Sequence, residues 1–423
     1  MIDDVERRAL EAVDVSGLVE AVREMVAIPS VGGAESAAQE HVAALMSRCG
    51  LDVDVWDIDL EALSQHPAYG TEIPRERALG VVGTMGAAEG GRSLIWNGHV
   101  DVVPAGEEAN WHYPPWQGTV DGGRIYGRGT VDMKGGLCCA LYAAKALRDA
   151  GVTLAGKVLV QSVVGEEDGG LGTLAAIERG YRADGAVVLE PTELLVAPAH
   201  GGGLDFRVTV PGLSAHGAMR EEGVSAIEKF IPLYRALAEL ERVRNEAVLD
   251  PLFARYSIPY TISVGTVRAG NWPSTVAESL TFEGRCGVMV GEGAAEAQRA
   301  LEEAVQAAAE ADPWLRDHPP VVEWLGALFE SSYIPTEHPL VDAVAGAYGA
   351  ATGSAATIAG MTYGADMRLL VNVAGIQTVL FGPGDVRQAH RPDEYVPLAD
   401  LEAATRTLVL LAVRYCGVEQ SRG

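Results

Sequence analysis

Five places in this chain set a histidine or an acid where the backbone leaves an apolar run. In Ser93-Leu94-Ile95-Trp96-Asn97-Gly98-His99-Val100-Asp101 an imidazole and a carboxylate stand two residues apart. Side chains alternate faces on extended backbone, so both point the same way. Asp132 lies among the glycines of Gly127-Arg128-Gly129-Thr130-Val131-Asp132-Met133-Lys134-Gly135-Gly136, just before an apolar helix that it is also well placed to cap. Val163-Val164-Gly165 runs into Glu166-Glu167-Asp168, Val188-Leu189 into Glu190, and Phe381-Gly382-Pro383-Gly384 towards His390. Taken singly, these are turn-forming, solvating or capping residues. Taken together, they gather carboxylates and imidazoles at one end of one sheet, a mixture of N and O ligands suited to zinc, cobalt or manganese.

The elements that must position them alternate in kind. Helical spacing on either side of Pro29-Ser30-Val31-Gly32-Gly33 predicts two helices within Leu18–Cys49. Apolar runs predict strands at Leu79–Val82, Ser93–Trp96, Val158–Val164 and Ala186–Leu189, separated by helices at Leu137–Arg148 and Leu171–Arg179. That alternation implies an α/β fold. From His200 the order becomes strand (Leu204–Val210), helix (Val224–Arg244), two strands (Pro259–Val267, Ser279–Val288), helix (Gly293–Ala311) and strand (Val321–Leu325). The order β-α-β-β-α-β is that of a ferredoxin-like layer. After it come a helix near Leu340–Ala351, a strand at Thr378–Phe381 and a helix at Leu398–Tyr415. The expected organisation is a catalytic α/β domain with a mixed sheet built from residues 1–199 and 329–423, interrupted by an inserted α+β domain over residues 200–328.

The bulk properties set limits. A chain of 423 residues exceeds one ordinary core, and 48% hydrophobic with 21% charged residues describes a folded chain. A net charge of −26 would repel a phosphate backbone, so nucleic acid is excluded as a partner. Cys49, Cys138, Cys139, Cys286 and Cys416 are scattered, odd in number and without metal-ligand spacing, which fits a reduced compartment. No apolar run reaches membrane-spanning length, and the start reads as a charged helix and not a leader, so a cytoplasmic protein without a membrane partner is expected. No Ser or Cys sits in a Gly-Xaa-Ser-Xaa-Gly elbow.

The ordered motifs His99-Val100-Asp101, Gly127 to Asp132, Gly165-Glu166-Glu167, Glu190-Pro191-Thr192 and the late His390 resemble those of the aminoacylase, acetylornithine deacetylase, succinyl-diaminopimelate desuccinylase and glutamate carboxypeptidase family of dinuclear metallohydrolases. The resemblance covers nearly the whole chain, and it implies a metallopeptidase-like catalytic domain with an inserted lid and dimerisation domain. It implies two divalent cations, zinc foremost with cobalt or manganese as substitutes: Asp132 would bridge them, His99 and Glu190 would complete one site, and Glu167 and His390 the other. A hydroxide shared by two such cations is strongly activated. Glu166 would be the general base and Asp101 would orient the His99 imidazole. A cis peptide is implied between Asp132 and Met133. His216, in Val210-Pro211-Gly212-Leu213-Ser214-Ala215-His216-Gly217, would reach the partner subunit's site and donate to the oxyanion, which implies a homodimer through the inserted domain. Arg285 would grip a substrate carboxylate, with Asn271, Ser274, Thr362 and Arg368 as further cleft residues. The implied substrate is a small amide bearing a carboxylate, an N-acylated amino acid or a relative, and the alternative is a dipeptide or a C-terminal peptide bond. The chain departs from the family pattern where Tyr363-Gly364 is inserted and where Gly201 follows His200, and both departures bear on substrate choice.

Overall fold

The computed structural model describes residues 2–71, 73–86 and 90–419. Its contacts divide the chain into two units: Met1–Ala199 with Tyr333–Ala359 and Ala365–Gly423, and His200–Ser332 with Gly360–Gly364. The second unit thus runs four residues past the expected boundary at 328 and recruits five residues from a later segment.

The first unit is organised by a six-stranded sheet in the order Asp52–Asp57, Leu79–Gly86, Lys157–Val163, Ser93–His99, Gly185–Val188, Thr378–Leu380. Its last four strands are mutually parallel and Leu79–Gly86 runs antiparallel to both of its neighbours, making the sheet mixed. The parallel strands are buried almost throughout, as strands covered on both faces must be. Cover comes partly from two helices apolar on nearly every side, Gly135–Asp149 and Leu398–Cys416, which pack on each other and on Ser93–His99. Because these strands are parallel, all their C-terminal ends lie along one edge, where ligands gather in open α/β sheets.

Among the described elements that the sequence reading did not give are an edge strand and a small sheet. The Asp52–Asp57 edge strand carries three aspartates over six residues and is largely solvent-facing, so its pattern reads as a turn. A small sheet of Thr119–Asp121, Arg124–Tyr126 and Tyr395–Pro397 is made of strands too short to carry a period. It joins the segment before Asp132 to the segment after His390 through the pairs Tyr395/Tyr126, Val396/Ile125 and Pro397/Arg124.

The second unit is a four-stranded antiparallel sheet in the order Ile262–Ala269, Ser279–Val288, Gly202–Pro211, Val321–Phe329, with helices Ala226–Glu246 and Ala294–Glu310. Strict alternation on Gly202–Pro211 buries Leu204, Phe206, Val208 and Val210 and turns Asp205, Arg207 and Thr209 outward. The core closes over Phe206 and Phe282, which meet edge to face at 6.2 Å, with Leu233, Leu237, Leu301 and Val305 from the helices. The element order β-α-β-β-α-β stands as expected.

Candidate active site

Along the C-terminal edge of the parallel strands the backbone delivers His99 at the end of Ser93–His99, Glu166 and Glu167 just after Lys157–Val163, Glu190 just after Gly185–Val188, and His390 from the loop after Thr378–Leu380. Asp132 enters from the Gly127–Lys134 loop, and its peptide bond to Met133 is cis. The helix that follows, Gly135–Asp149, has no side-chain N-cap, so Asp132 does not cap it.

Its carboxylate instead faces two imidazoles. Oδ1 lies 3.0 Å from His99 Nε2, and Oδ2 lies 3.2 Å from His390 Nε2. His390 Nε2 is also 3.1 Å from Glu167 Oε2, and His99 Nε2 is 3.8 Å from Glu190 Oε1. Ligand atoms of His99, Asp132 and Glu167 all fall within 4.8 Å of one another, as do those of His99, Glu166 and Glu190. His99 Nδ1 donates to the carbonyl of Asp101 at 2.9 Å, which fixes the proton on that nitrogen and turns Nε2 towards the acids.

The role expected of the Asp101 carboxylate changes accordingly. Its Oδ1 is 3.8 Å from His99 Nδ1, beyond hydrogen-bond range, and its Oδ2 accepts the Glu167 N–H at 3.0 Å. Asp101 orients the imidazole through its main chain and the Glu166-Glu167 turn through its side chain.

Electrostatically the cluster calls for cations. Burial pushes the Glu166 and Glu190 carboxyls well above the usual range, and repulsion from Glu190 and from Asp132, respectively, adds to it. Burial also pushes Asp132 upward, but hydrogen bonds from His390 and His99 outweigh it and hold that carboxyl low. The bond between His390 and Asp132, with that to Glu167, raises His390 to about 11. Four acids and two imidazoles, several of them buried, form a donor set of mixed N and O atoms that two divalent cations would neutralise and satisfy. These residues fit such ions.

Two residues missed in the sequence support the site from beneath. Glu394, fully buried, accepts the N–H of Val131 at 3.0 Å and of Asp132 at 3.3 Å on Oε1 and pairs with Arg128 Nη1 at 2.6 Å on Oε2. Four residues earlier, His390 holds a left-handed backbone with φ 58°, and Asp393 does so with φ 55°. That conformation costs a non-glycine residue about 1–3 kcal/mol and persists only where its surroundings dictate it. Here Asp393 Oδ1 accepts the N–H groups of His112 and Tyr113, and Glu394 grips the Asp132 loop. Asp366, also fully buried, accepts from Thr173 Oγ1 at 2.5 Å, and Thr173 accepts from Asn97 Nδ2 at 2.9 Å, tying three segments under the cluster. Both acids lacked a sequence signal because their partners lie far along the chain. Arg368 is buried and donates to the Gly169 carbonyl at 2.8 Å, so it shapes the turn after Glu167.

The remaining candidates belong to the second unit. His216 is exposed and accepts the Ala218 N–H on Nδ1 at 3.1 Å, while Gly217 donates to the Ser274 carbonyl at 2.7 Å. Asn271 lines a cleft of about 800 Å³ with Trp272 and Arg220. Arg285 lies against Gly203 and donates to the Gly202 carbonyl at 3.2 Å, and Thr362 lies in the recruited Gly360–Gly364 segment.

Residues 95–414 match the model of peptidase family M20/M25/M40. The N-formyl-4-amino-5-aminomethyl-2-methylpyrimidine deformylase of Halalkalibacterium halodurans is 32% identical over 402 residues, covering 91% of this chain and 90% of that protein. A probable succinyl-diaminopimelate desuccinylase of Staphylococcus aureus is 26% identical over 79% of this chain and 87% of its own length. Among solved structures, the dipeptidase Dug1p of Saccharomyces cerevisiae superposes with a TM-score of 0.77 at 13% identity, covering 98% of this chain and 99% of that one. The fold, the family model and the relatives agree, and the chain belongs to peptidase family M20/M25/M40, whose members are metal-dependent hydrolases of amide bonds.

Proposed function

We propose that this protein removes an acyl group from the nitrogen of an N-acylated amino acid or a related small carboxylate. The observation that carries the reading is Asp132, whose two oxygens face different imidazoles, His99 and His390, each with a further glutamate beside it. Two divalent cations, zinc by preference and cobalt or manganese by substitution, would be held by His99, Glu190 and Asp132 on one side and by Asp132, Glu167 and His390 on the other. When bound, they supply positive charge that polarises the amide carbonyl and acidifies the attacking water.

The chain's own groups do the rest. Glu166 takes the proton of the attacking water on its carboxylate and returns it to the leaving amine nitrogen. Its burial beside Glu190 suits a carboxyl that must hold a proton and then release it. His216, supplied by a second copy of the chain in a homodimer formed through the inserted unit, donates to the oxyanion. Arg285 receives the substrate carboxylate, and Asn271, Ser274 and Thr362 line the cleft. A cytoplasmic setting accords with five free, buried cysteines. No helix among the described residues is long and apolar enough to cross a membrane.

The similarity to a deformylase over nine-tenths of both chains supports a second reading, in which the acyl group is formyl and the amine lacks a carboxylate. Metal-reconstituted protein assayed on N-formyl, N-acetyl and N-succinyl amino acids, on N-formylated aminomethyl heterocycles and on dipeptides separates these cases. Turnover of N-acyl amino acids is expected. Turnover of dipeptides alone sinks the deacylase reading, and turnover of formylated heterocycles alone sinks the role given to Arg285.

A further inference from the structure

The turn that carries Glu166 and Glu167 has a fastening that none of the motifs contains. Arg75, whose side chain is 1% exposed, comes from the connection before the Leu79–Gly86 strand and forms a fork-to-fork pair with Asp168, the residue after Glu167. Nη2 donates to Asp168 Oδ1 at 2.6 Å and Nη1 donates to Asp168 Oδ2 at 2.8 Å. On its other side the guanidinium donates to Glu35 Oε1 from Nε at 3.0 Å and from Nη2 at 2.6 Å, and Glu35 Oε1 also accepts the Gly33 N–H at 3.0 Å. Nη1 further donates to Thr71 Oγ1 and the Ile73 carbonyl, and Asp168 Oδ2 accepts from Thr71 Oγ1 and the Ile73 N–H. The fit extends to the backbone: Gly165 sits at φ +67°, and a Cβ there would come within 3.0 Å of Arg75 Nη2.

A planar, permanently charged fork satisfied along both edges fixes direction as well as distance, which a lysine cannot do. The turn is therefore held at two successive residues, by Asp101 on the Glu167 N–H and by Arg75 on the Asp168 carboxylate. We propose that Arg75 is a positioning residue, whose clamp on Asp168 aims Glu167 at its cation and Glu166 at the substrate. This rests on the roles given to those two glutamates above. Supporting groups around metal ligands are worth roughly 10- to 100-fold in affinity or rate.

The test uses the full chain, stripped of metal and titrated with zinc, and compares Arg75→Lys and Asp168→Asn with Arg77→Lys. Arg77 neighbours the clamp, is half exposed and pairs with Asp57 and Glu40 at the surface. Both clamp variants are expected to bind one of the two zinc ions roughly 10- to 100-fold more weakly and to lose kcat over the same range, with KM moved by less than about twofold. Arg77→Lys should match wild type. Folded clamp variants that bind both ions with wild-type affinity overturn the proposal, even if their melting temperatures fall, because the clamp would then only brace the connection. If Arg75→Lys does not fold, Asp168→Asn decides by the same titration. Wild-type protein that binds two zinc ions and hydrolyses none of the amides refutes the functional reading alone, since the affinities still judge Arg75.

Discussion

Removing the Glu394 carboxylate should loosen the loop that presents Asp132 before it disturbs anything else. Glu394 supplies the acceptor for two buried main-chain N–H groups and the counter-charge for the buried Arg128 guanidinium, which also lies 5.2 Å over the Trp111 ring. Leaving a buried N–H without a partner costs about 1–3 kcal/mol, and stranding one member of a buried ion pair costs about 3–5 kcal/mol. Glu394→Ala incurs all three losses and should lose upward of about 5 kcal/mol, a large share of the roughly 5–15 kcal/mol that stabilises a typical protein. Glu394→Gln keeps an amide oxygen for the two N–H groups and forfeits chiefly the charge, about 3 kcal/mol. Hydrogen exchange followed by mass spectrometry reads this directly on a peptide covering Gly127–Lys134. At about 1.4 kcal/mol per tenfold, the glutamine variant should exchange there roughly 100-fold faster than wild type. A peptide that exchanges within about threefold of wild type would refute the reasoning, because the contacts would then carry little of the loop's stability.

Other consequences can be checked by simpler means. Glu166→Gln should lower kcat by about 10²–10⁴-fold while zinc stoichiometry by calorimetry stays at two, and retained turnover would remove Glu166 from its role. Asp132→Ala should lose the capacity for a second ion, because both imidazoles turn to the same carboxylate, and a variant still binding two would exclude bridging. Exhaustive chelation should abolish hydrolysis, with zinc, cobalt or manganese restoring it, and persistence of activity in metal-free protein would exclude the dinuclear reading. Gly170→Ala should destabilise far more than Gly151→Ala in denaturant unfolding. Both glycines are left-handed, which costs alanine about 1–2 kcal/mol, but only at Gly170 would the methyl meet Asp366 Oδ1 and Leu369 Cδ1, each at 2.5 Å. Equal losses would mean that the turn relaxes freely.

What the sequence made legible was whatever is written locally. Ser93–Trp96 announces a buried strand through four adjacent residues, and the strand runs on to deliver His99. The inserted unit is legible because its strands alternate cleanly and its helices are long, with Leu204, Phe206, Val208 and Val210 spelling one face. The support beneath the site is written across the chain instead. Glu394 sits in Arg391-Pro392-Asp393-Glu394, a run that reads as a solvated turn until its distant partners Val131 and Arg128 are in place. Arg75 likewise follows a proline in an unremarkable connection, and only the fold brings Glu35 and Asp168 to its two edges. Asp101 is an intermediate case: its position was legible, but whether its carbonyl or its carboxylate meets the imidazole depends on a turn geometry that spacing does not encode.

The parallel pairing of Thr378–Leu380 with Gly185–Val188 also orders events in time. Ribosomes extend a chain at about 5–20 residues per second, so His390 emerges on the order of 10–40 s after Glu190. Throughout that interval the nascent chain carries His99, Asp132, Glu166, Glu167 and Glu190 but lacks the second imidazole, and for most of it the last strand of the sheet as well. Asp132 Oδ2 has no imidazole to meet until that late segment is made, so the two halves of the cluster are completed in the order of the chain.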